Sequence, residues 1–322
     1  MSGSSALRTW WAQRPPATGA AVMATGILSV GLHQDGYELL SRIALALTWA
    51  AWLGLAAAIA LRLLWGHLGW PVGSPAALAV VPATTVLGTR ISLLGRQQLA
   101  EALFALALVL WATLVLPVVR EWERGMSGAV FLGCVATEAI AVLGAVLAAA
   151  LRVAWLAHLA LVFFWFGLVF YLIGLRCFDR RQVSVGAGDQ WMASGALAIS
   201  TVAGSWLINA AHSGLYLWNV DDTDVLRSVT IALLAVAFGW YCVLAAAELR
   251  RPRTGYDVRR WSTVFPMGMM AVAALSVAGA LKASWLRGPG QVLLWMAVAV
   301  WCAVLVGAVG SMAGSVRSTA RR

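Results

Sequence analysis

Serine and threonine hydroxyls recur at helical spacing inside several long apolar stretches of the sequence. Steps of three and four residues place side chains on one face of a helix. Such a face, with hardly any fixed charge, can replace part of an anion's hydration shell without binding the anion tightly, so the ion can leave again. The candidate lining residues in three of these stretches are Thr18, Val22, Thr25 and Ser29, then Thr85 and Thr89, then Ser194, Thr201 and Ser205.

A fourth face, in the stretch RRWSTVFPMGMMAVAALSVAG (259–279), carries one aromatic ring among small or slim side chains. Helical spacing places Ser262, Phe265, Met269 and Ser276 on this face, which makes all four candidate lining residues. A mostly small-sided face lets another group approach the backbone closely. Phe265 is then either a packing residue against a neighbouring helix or a plug in a passage, and the residues alone leave both interpretations open.

Glu138 is a carboxyl group near the middle of another apolar stretch, 128–150. A charge at the centre of a bilayer is costly, so this side chain must be paired, protonated or wetted. One interpretation is structural, with an arginine partner or a neutral acid bonded to a neighbouring helix. The other makes Glu138 a lining residue and a proton site, because protonation would remove its repulsion of an anion in the same passage.

Proline inside a helix removes a helical hydrogen bond and bends the chain. Pro82 and Pro266 are therefore predicted helix kinks. Arg90 and Lys282, near segment ends, are expected to extend their charged groups to the membrane interface.

The composition identifies the class of protein. Of the 322 residues, 61% are hydrophobic and only 11% are charged, whereas soluble domains carry about 25% charged residues. The chain is therefore an integral membrane protein with membrane lipid as a partner. The net charge of +10 does not indicate nucleic-acid binding, because the basic residues lie in short gaps between apolar runs. The 4 cysteines and 4 histidines show no metal-ligand spacing, so we expect no metal and no cofactor.

Crossing a bilayer takes about 20 apolar residues, and the sequence divides into ten such segments. Only short loops separate them, which predicts a single transmembrane domain over 1–322 with short tails at 1–14 and 311–322. The predicted segments are 16–33, 41–61, 75–95, 98–119, 128–150, 153–175, 190–213, 225–248, 261–281 and 289–310.

Small and polar residues concentrate in the odd-numbered segments. Polar groups inside a membrane are acceptable where protein or water meets them. The odd segments are therefore expected to face an interior and the even ones lipid, although small residues also mark tight helix packing. Lys and Arg are most abundant in the two tails and in the even-numbered loops, which predicts a multi-pass protein of the cell membrane with both termini in the cytoplasm.

Four stretches resemble one known family, in order and at fitting distances. "VMATGILSVGL" (22–32), "VATEAIAVLGA" (135–145), "WMASGALAIS" (191–200) and "WSTVFPMG" (261–268) are similar to odd-helix motifs of the tellurite-resistance/dicarboxylate transporter family. That family includes fungal malate and sulfite transporters and the slow anion channel of plant guard cells. The resemblance implies an all-α fold of ten transmembrane helices, arranged as five quasi-repeated hairpins around a central pore, and a homotrimer. It also implies that Phe265 blocks the pore.

The sequence thus predicts transport of a small anion and no enzymatic activity. We expect efflux of small organic acids of the malate-like C4-dicarboxylate kind, or of inorganic oxyanions. The alternatives are a proton-coupled dicarboxylate carrier that uses Glu138 and, from another class, an integral membrane enzyme with Glu138 as its acid–base group. The enzyme interpretation has no metal motif and no nucleophile with a visible base to support it.

Overall fold

The computed structural model describes residues 15–65, 73–186, 188–215, 222–251 and 257–320, and these residues are almost entirely helical. Ten long helices follow one another along the chain. They are α1 (Pro15–Gln34), α2 (Glu38–Trp65), α3 (Val80–Leu93), α4 (Gln97–Arg120), α5 (Leu132–Leu151), α6 (Ala154–Cys177), α7 (Met192–His212), α8 (Asp222–Arg250), α9 (Trp261–Ala280) and α10 (Arg287–Ala320).

Within the described residues, nine helical segments are long and apolar enough to cross a membrane. The tenth helix, α1, has 20 residues, which is also the length that a crossing requires. The predicted all-α membrane fold is confirmed. Two helices extend beyond their predicted segments. Helix α2 begins earlier, at Glu38, and α10 continues through the predicted tail to Ala320. The predicted tail 1–14 lies outside the described residues.

The helices divide into an inner and an outer set. The membrane-crossing windows of α3, α5, α7 and α9 are 89%, 100%, 94% and 89% buried, whereas those of the even-numbered helices are 22% to 50% buried. Each odd helix packs against the even helix that follows it, and α1, α3, α5, α7 and α9 pack against one another in a closed ring, with α9 against α1. The expectation that odd helices form the interior is therefore confirmed.

A glycine lies at four of the five contacts between neighbouring helices of this ring, and at the fifth pair, α5 and α7, a glycine lies between the 3₁₀ turns that precede the two helices. A Cβ added to Gly26 of α1 would lie 2.6 Å from Val86 of α3, and one added to Gly88 of α3 would lie 2.7 Å from Leu143 of α5. Only glycine allows the helices to come this close. The other three glycine contacts are Gly128 with the Asp189 carbonyl, Gly195 with Pro266, and Gly268 with Ile27.

Short 3₁₀ turns precede four of the inner helices at the same end of the ring. They span Pro75–Ala79 before α3, Gly128–Phe131 before α5, Asp189–Trp191 before α7 and Val258–Arg260 before α9. The positive ends of the helix dipoles therefore gather at this end.

The two predicted kinks differ in their positions. Pro266 lies inside α9, so the carbonyl of Ser262 receives no hydrogen bond from the position four residues on. Pro82 instead lies in the first turn of α3, which begins at Val80. The 3₁₀ turn Pro75–Ala79 leads directly into α3, so Pro82 lies just after the change from 3₁₀ to α-helical geometry, and the prediction of a kink in mid-helix is corrected.

The expectation that Arg90 extends its charged group to the membrane interface is wrong, because its side chain is completely buried. Its Nη2 donates to both carboxylate oxygens of Glu38 in α2, at 2.8 and 2.9 Å, and its Nε donates to Ser41 at 2.9 Å. Glu38 also binds Arg42 and His33. A fixed charge is thus neutralised between α2 and α3, at the end of the ring where the inner helices finish.

This network predicts unequal effects for two changes to the same cluster. Glu38→Gln leaves the buried Arg90 without its counter-charge, so we expect it to lower the free energy of unfolding by on the order of 2–4 kcal/mol. Arg42→Gln removes a partner whose side chain is 65% exposed, and should change that free energy by less than about 1 kcal/mol. Thermal unfolding of the two variants in detergent checks the difference, and equal losses would contradict the role assigned to Arg90.

Candidate functional site

A small cavity lies on the axis of the ring, and all five inner helices contribute to its wall. Its volume is ≈ 30 Å³, which is about the share of liquid volume that one water molecule occupies. Most of its lining is apolar. The residues of this central cavity are Ile27, Val30, Pro82, Thr85, Val86, Thr89, Ala139, Val142, Ile199, Val202, Trp206, Phe265, Met269 and Val272.

A second, larger cavity of ≈ 390 Å³ opens at the end where the inner helices begin. We call it the N-terminal vestibule. It contains most of the polar groups along the axis, including one carboxyl group and one guanidinium group among its described residues. The residues that line the N-terminal vestibule are Ala20, Met23, Ala76, Ala79, Ser127, Ala129, Leu132, Gln182, Asp189, Met192, Val258, Arg259 and Ser262.

Phe265 lies between the two cavities along α9. Ser262, one turn before it, lines the vestibule, and Met269, one turn after it, lines the central cavity with Phe265 itself. The ring of Phe265 is almost fully buried, with a relative exposure of 1%. Contacts at Gly195 and Gly268 bring α7 and α1 against this part of α9, so the ring has little room to move while the helices stay packed.

Thr85 and Thr89 lie in the central cavity, where the sequence predicts them, but their hydroxyl hydrogens point elsewhere. Thr85 donates to the Pro82 carbonyl at 3.2 Å, and Thr89 donates to the Thr85 carbonyl at 2.9 Å. In this arrangement the hydroxyls offer oxygen lone pairs to the cavity. Each must rotate away from its own helix before it can donate to an anion.

Several other predicted lining residues face neighbouring helices instead of the axis. Thr25 accepts a hydrogen bond from Trp301 of α10 at 3.0 Å, and Ser29 donates to the Ser41 carbonyl of α2 at 2.7 Å. Ser194 and Ser276 likewise bond to the outer helix α8 and to Gln34. Their placement on the axis is corrected, because a buried hydroxyl needs a partner and finds one between helices.

Three further predicted residues, Val22, Thr201 and Ser205, line neither cavity. Thr201 and Ser205 are buried and donate to carbonyls of their own helix, and Val22 is fully buried. The side chain of Thr18 lies outside the described part of the structure. The positions that do line the cavity in α1 and α7 are apolar, namely Ile27, Val30, Ile199, Val202 and Trp206. No chemical signal in the sequence distinguishes them from ordinary core residues.

Glu138 lies behind the cavity wall, between α5, α6 and α7. It is completely buried, its Oε1 accepts a hydrogen bond from Ser200 of α7 at 2.9 Å, and its Oε2 has no partner among the described residues. On the α6 side, a Cβ added to Gly167 would lie 2.6 Å from Glu138 Cγ. The neighbouring Ala139 is the residue that lines the cavity, so the expectation that Glu138 lines the passage is corrected.

The vestibule contains two charged residues that the sequence analysis did not single out. Arg259 belongs to the turn before α9, where Asp257 caps the turn by accepting from its backbone N–H at 2.8 Å. Partial burial opposes ionisation of Asp257, but the hydrogen bonds and charge of Arg259 prevail and lower the pKa of that carboxyl group. Asp189, from the turn before α7, is the carboxyl group in the vestibule wall.

Comparison with known proteins finds similarity to one family of membrane proteins along most of the chain. A family model described as "voltage-dependent anion channel" matches residues 13–309. An uncharacterized membrane protein of Mycobacterium tuberculosis strain CDC 1551 / Oshkosh is 28% identical over 138 residues, which are 41% of this chain and 68% of that protein. A protein of strain ATCC 25618 / H37Rv, also described as an uncharacterized membrane protein, matches with the same figures.

The close contact between Gly167 and Glu138 predicts a coupled effect of two substitutions. Gly167→Ala inserts a methyl group against the Glu138 side chain, and overpacking of this kind costs about 1–3 kcal/mol. In a Glu138→Ala background the obstructing atoms are absent, so the same change should cost less. Thermal unfolding of the four proteins measures the coupling. An equal cost of Gly167→Ala in both backgrounds would contradict the described packing.

Proposed function

This chain belongs to the voltage-dependent anion channel family, and on that premise we propose that it conducts small anions along the axis of its inner ring, with Phe265 as the gate. Membership in the family implies anion transport across a membrane and a protein that is not an enzyme. The observation that supports this particular path is the position of Phe265 between the N-terminal vestibule and the central cavity.

The closed state follows from size and polarity. A central cavity of ≈ 30 Å³ is too small for a hydrated anion, and its apolar wall does not replace lost hydration. A hydrophobic constriction of this kind stops ions by excluding water. Opening requires the Phe265 ring to leave the axis, so that water and the Thr85 and Thr89 hydroxyls can meet the ion.

The direction and the substrates of transport follow from the same proposal. With both termini in the cytoplasm of a cell that is negative inside, the N-terminal vestibule faces the cytoplasm. Moving one charge across 100 mV is worth about 2.3 kcal/mol, so a passive path drives anions outward. A weakly polar path selects mainly by the cost of dehydration. That cost is lower for a singly charged than for a doubly charged anion, so the proposed substrates are small organic acids of the malate-like C4-dicarboxylate kind in their singly charged form, and inorganic oxyanions.

A proton-coupled carrier is the second candidate, and the surroundings of Glu138 favour it. The carboxyl group is fully buried, and among the described residues it accepts a hydrogen bond from the neutral hydroxyl of Ser200. An intramembrane acid without a cationic partner is by default a candidate proton site. Because Glu138 lies behind the wall, its proton would act by changing the contact between α5 and α7.

Truncation of the gate tests the first candidate. We expect Phe265→Ala to raise chloride flux from proteoliposomes under an imposed potential by at least about tenfold, equivalent to a barrier lower by about 1.4 kcal/mol. The expected cause is that removing the ring joins the vestibule to the central cavity. Flux is measured with a chloride electrode at matched amounts of reconstituted protein.

A lipid-facing phenylalanine provides the matched control. Phe166 of α6 is 43% exposed, so Phe166→Ala removes the same ring far from the axis and should leave flux at the wild-type level. A Phe265→Ala protein that reconstitutes normally but conducts no faster than wild type would contradict the gate.

Glu138→Gln distinguishes the two candidates. A glutamine has nearly the same shape and can accept the Ser200 hydrogen bond. Under the channel proposal we therefore expect chloride flux within about twofold of wild type and an unchanged dependence on pH between mildly acidic and neutral conditions. Loss of a proton-driven flux in this variant would contradict the channel and support the carrier.

A further inference from the structure

Asp189 places a carboxyl group in the wall of the N-terminal vestibule without a hydrogen-bond partner for one of its oxygens. The residue is 8% exposed and lines the vestibule, and its Oδ1 makes no hydrogen bond to any described residue. A buried, unsatisfied carboxylate oxygen is costly to maintain. Because Oδ1 is shielded from solvent, the Asp189 carboxylate can act on an anion in the vestibule through its charge and not through direct contact.

Helix capping does not account for Asp189. Two neighbouring turns are capped by side chains, since Asp257 accepts from the Arg259 N–H at 2.8 Å and Ser127 accepts from the Ala129 N–H at 3.4 Å. At the turn that begins at Asp189 the N-cap position is Gly188, which has no side chain to cap it, and Asp189 is the acidic residue of the first turn. The carboxyl group therefore lies beside a helix start without serving its N–H groups.

The backbone fixes Asp189 against two other turns. A Cβ added to Gly128 would overlap the Asp189 carbonyl, and one added to Gly188 would lie 2.7 Å from the Arg259 carbonyl. Gly188 also has a φ of +131°, a conformation that glycine adopts readily. The backbone of Asp189 consequently has a defined place beside the vestibule.

The electrostatics of the vestibule combine attraction and repulsion. All five inner helices begin at this end, and their dipoles favour negative charge there. Arg259 is the cation among the described lining residues, and Asp189 opposes it. Attraction by the dipoles and repulsion by a fixed carboxylate both scale with the charge of the visiting anion, so a carboxylate near the path shifts the balance against a second charge.

We propose that Asp189 is a specificity-determining residue whose carboxylate makes the N-terminal vestibule select singly charged acid anions over doubly charged ones. The inference rests on the proposed function, since it assumes that anions enter through this vestibule. It narrows the substrate class to small monoanions.

Succinate and succinamate are suitable probes, because the two acids have nearly the same size and differ by one charge when fully ionised. The ratio of their fluxes from proteoliposomes reports the selection against the second charge. We expect Asp189→Asn to raise the succinate-to-succinamate ratio by at least about fivefold, because the second charge no longer meets a carboxylate. Asp189→Glu keeps the charge and should keep the wild-type ratio.

Asp179 provides the matched control at the same end of the molecule. Its carboxylate accepts a hydrogen bond from the Arg181 N–H at 2.9 Å, and it lies outside the vestibule lining. Asp179→Asn removes the same charge and should leave the ratio unchanged. An equal rise in both variants would overturn the proposal, because the effect would then be one of general surface charge.

Arg259→Gln supplies a second variant in case Asp189→Asn does not fold. It removes the opposing charge from the vestibule and should lower the ratio by about twofold or more. An unchanged ratio in whichever variant folds, or a wild-type protein that passes chloride but no succinamate, overturns the role of Asp189. A wild-type protein that passes no anion at all contradicts the proposed function instead.

Discussion

The close packing of five inner helices around one axis is the constraint on which the rest of the structure depends. Glycines at the contacts of the ring let side chains of the neighbouring helix pack directly against the glycine backbone, as Val86 does at Gly26 and Leu143 does at Gly88. Lipid offers no hydrophobic driving force between helices, so small residues and close van der Waals contact supply much of the association. The outer helices then cover this ring and carry the lipid-facing side chains.

The properties of the axis follow from that packing. A tight ring leaves room for only a small apolar cavity, and it holds the Phe265 ring between this cavity and the vestibule. Polar hydroxyls that could wet the path are instead bonded to backbone carbonyls or to outer helices. The resulting barrier is one of dehydration, and the helix starts at the vestibule provide a favourable place for an anion before it meets that barrier.

The sequence was sufficient to predict the ten helices, the inner role of the odd ones and the family, because apolar length and motif order are strong signals. It was insufficient for the facing of single residues. Successive residues lie about 100° apart around a helix, so Thr25 and Ile27, two positions apart, lie on nearly opposite faces. Thr25 therefore meets Trp301 while Ile27 lines the axis. Long-range partners were also invisible, as for Arg90 with Glu38 and for Glu138 with Ser200.

Phe265 separates two compartments on one axis in this proposal, and the accessibility of engineered thiols on either side of its ring is the decisive measurement. A membrane-impermeant thiol reagent is applied from the vestibule side to proteins with a cysteine at position 262 or 269. With Phe265 intact, we expect the reagent to label Ser262→Cys but not Met269→Cys. When Phe265→Ala is added, we expect Met269→Cys to be labelled as well. Labelling of Met269→Cys from the vestibule side with Phe265 intact would contradict the proposal.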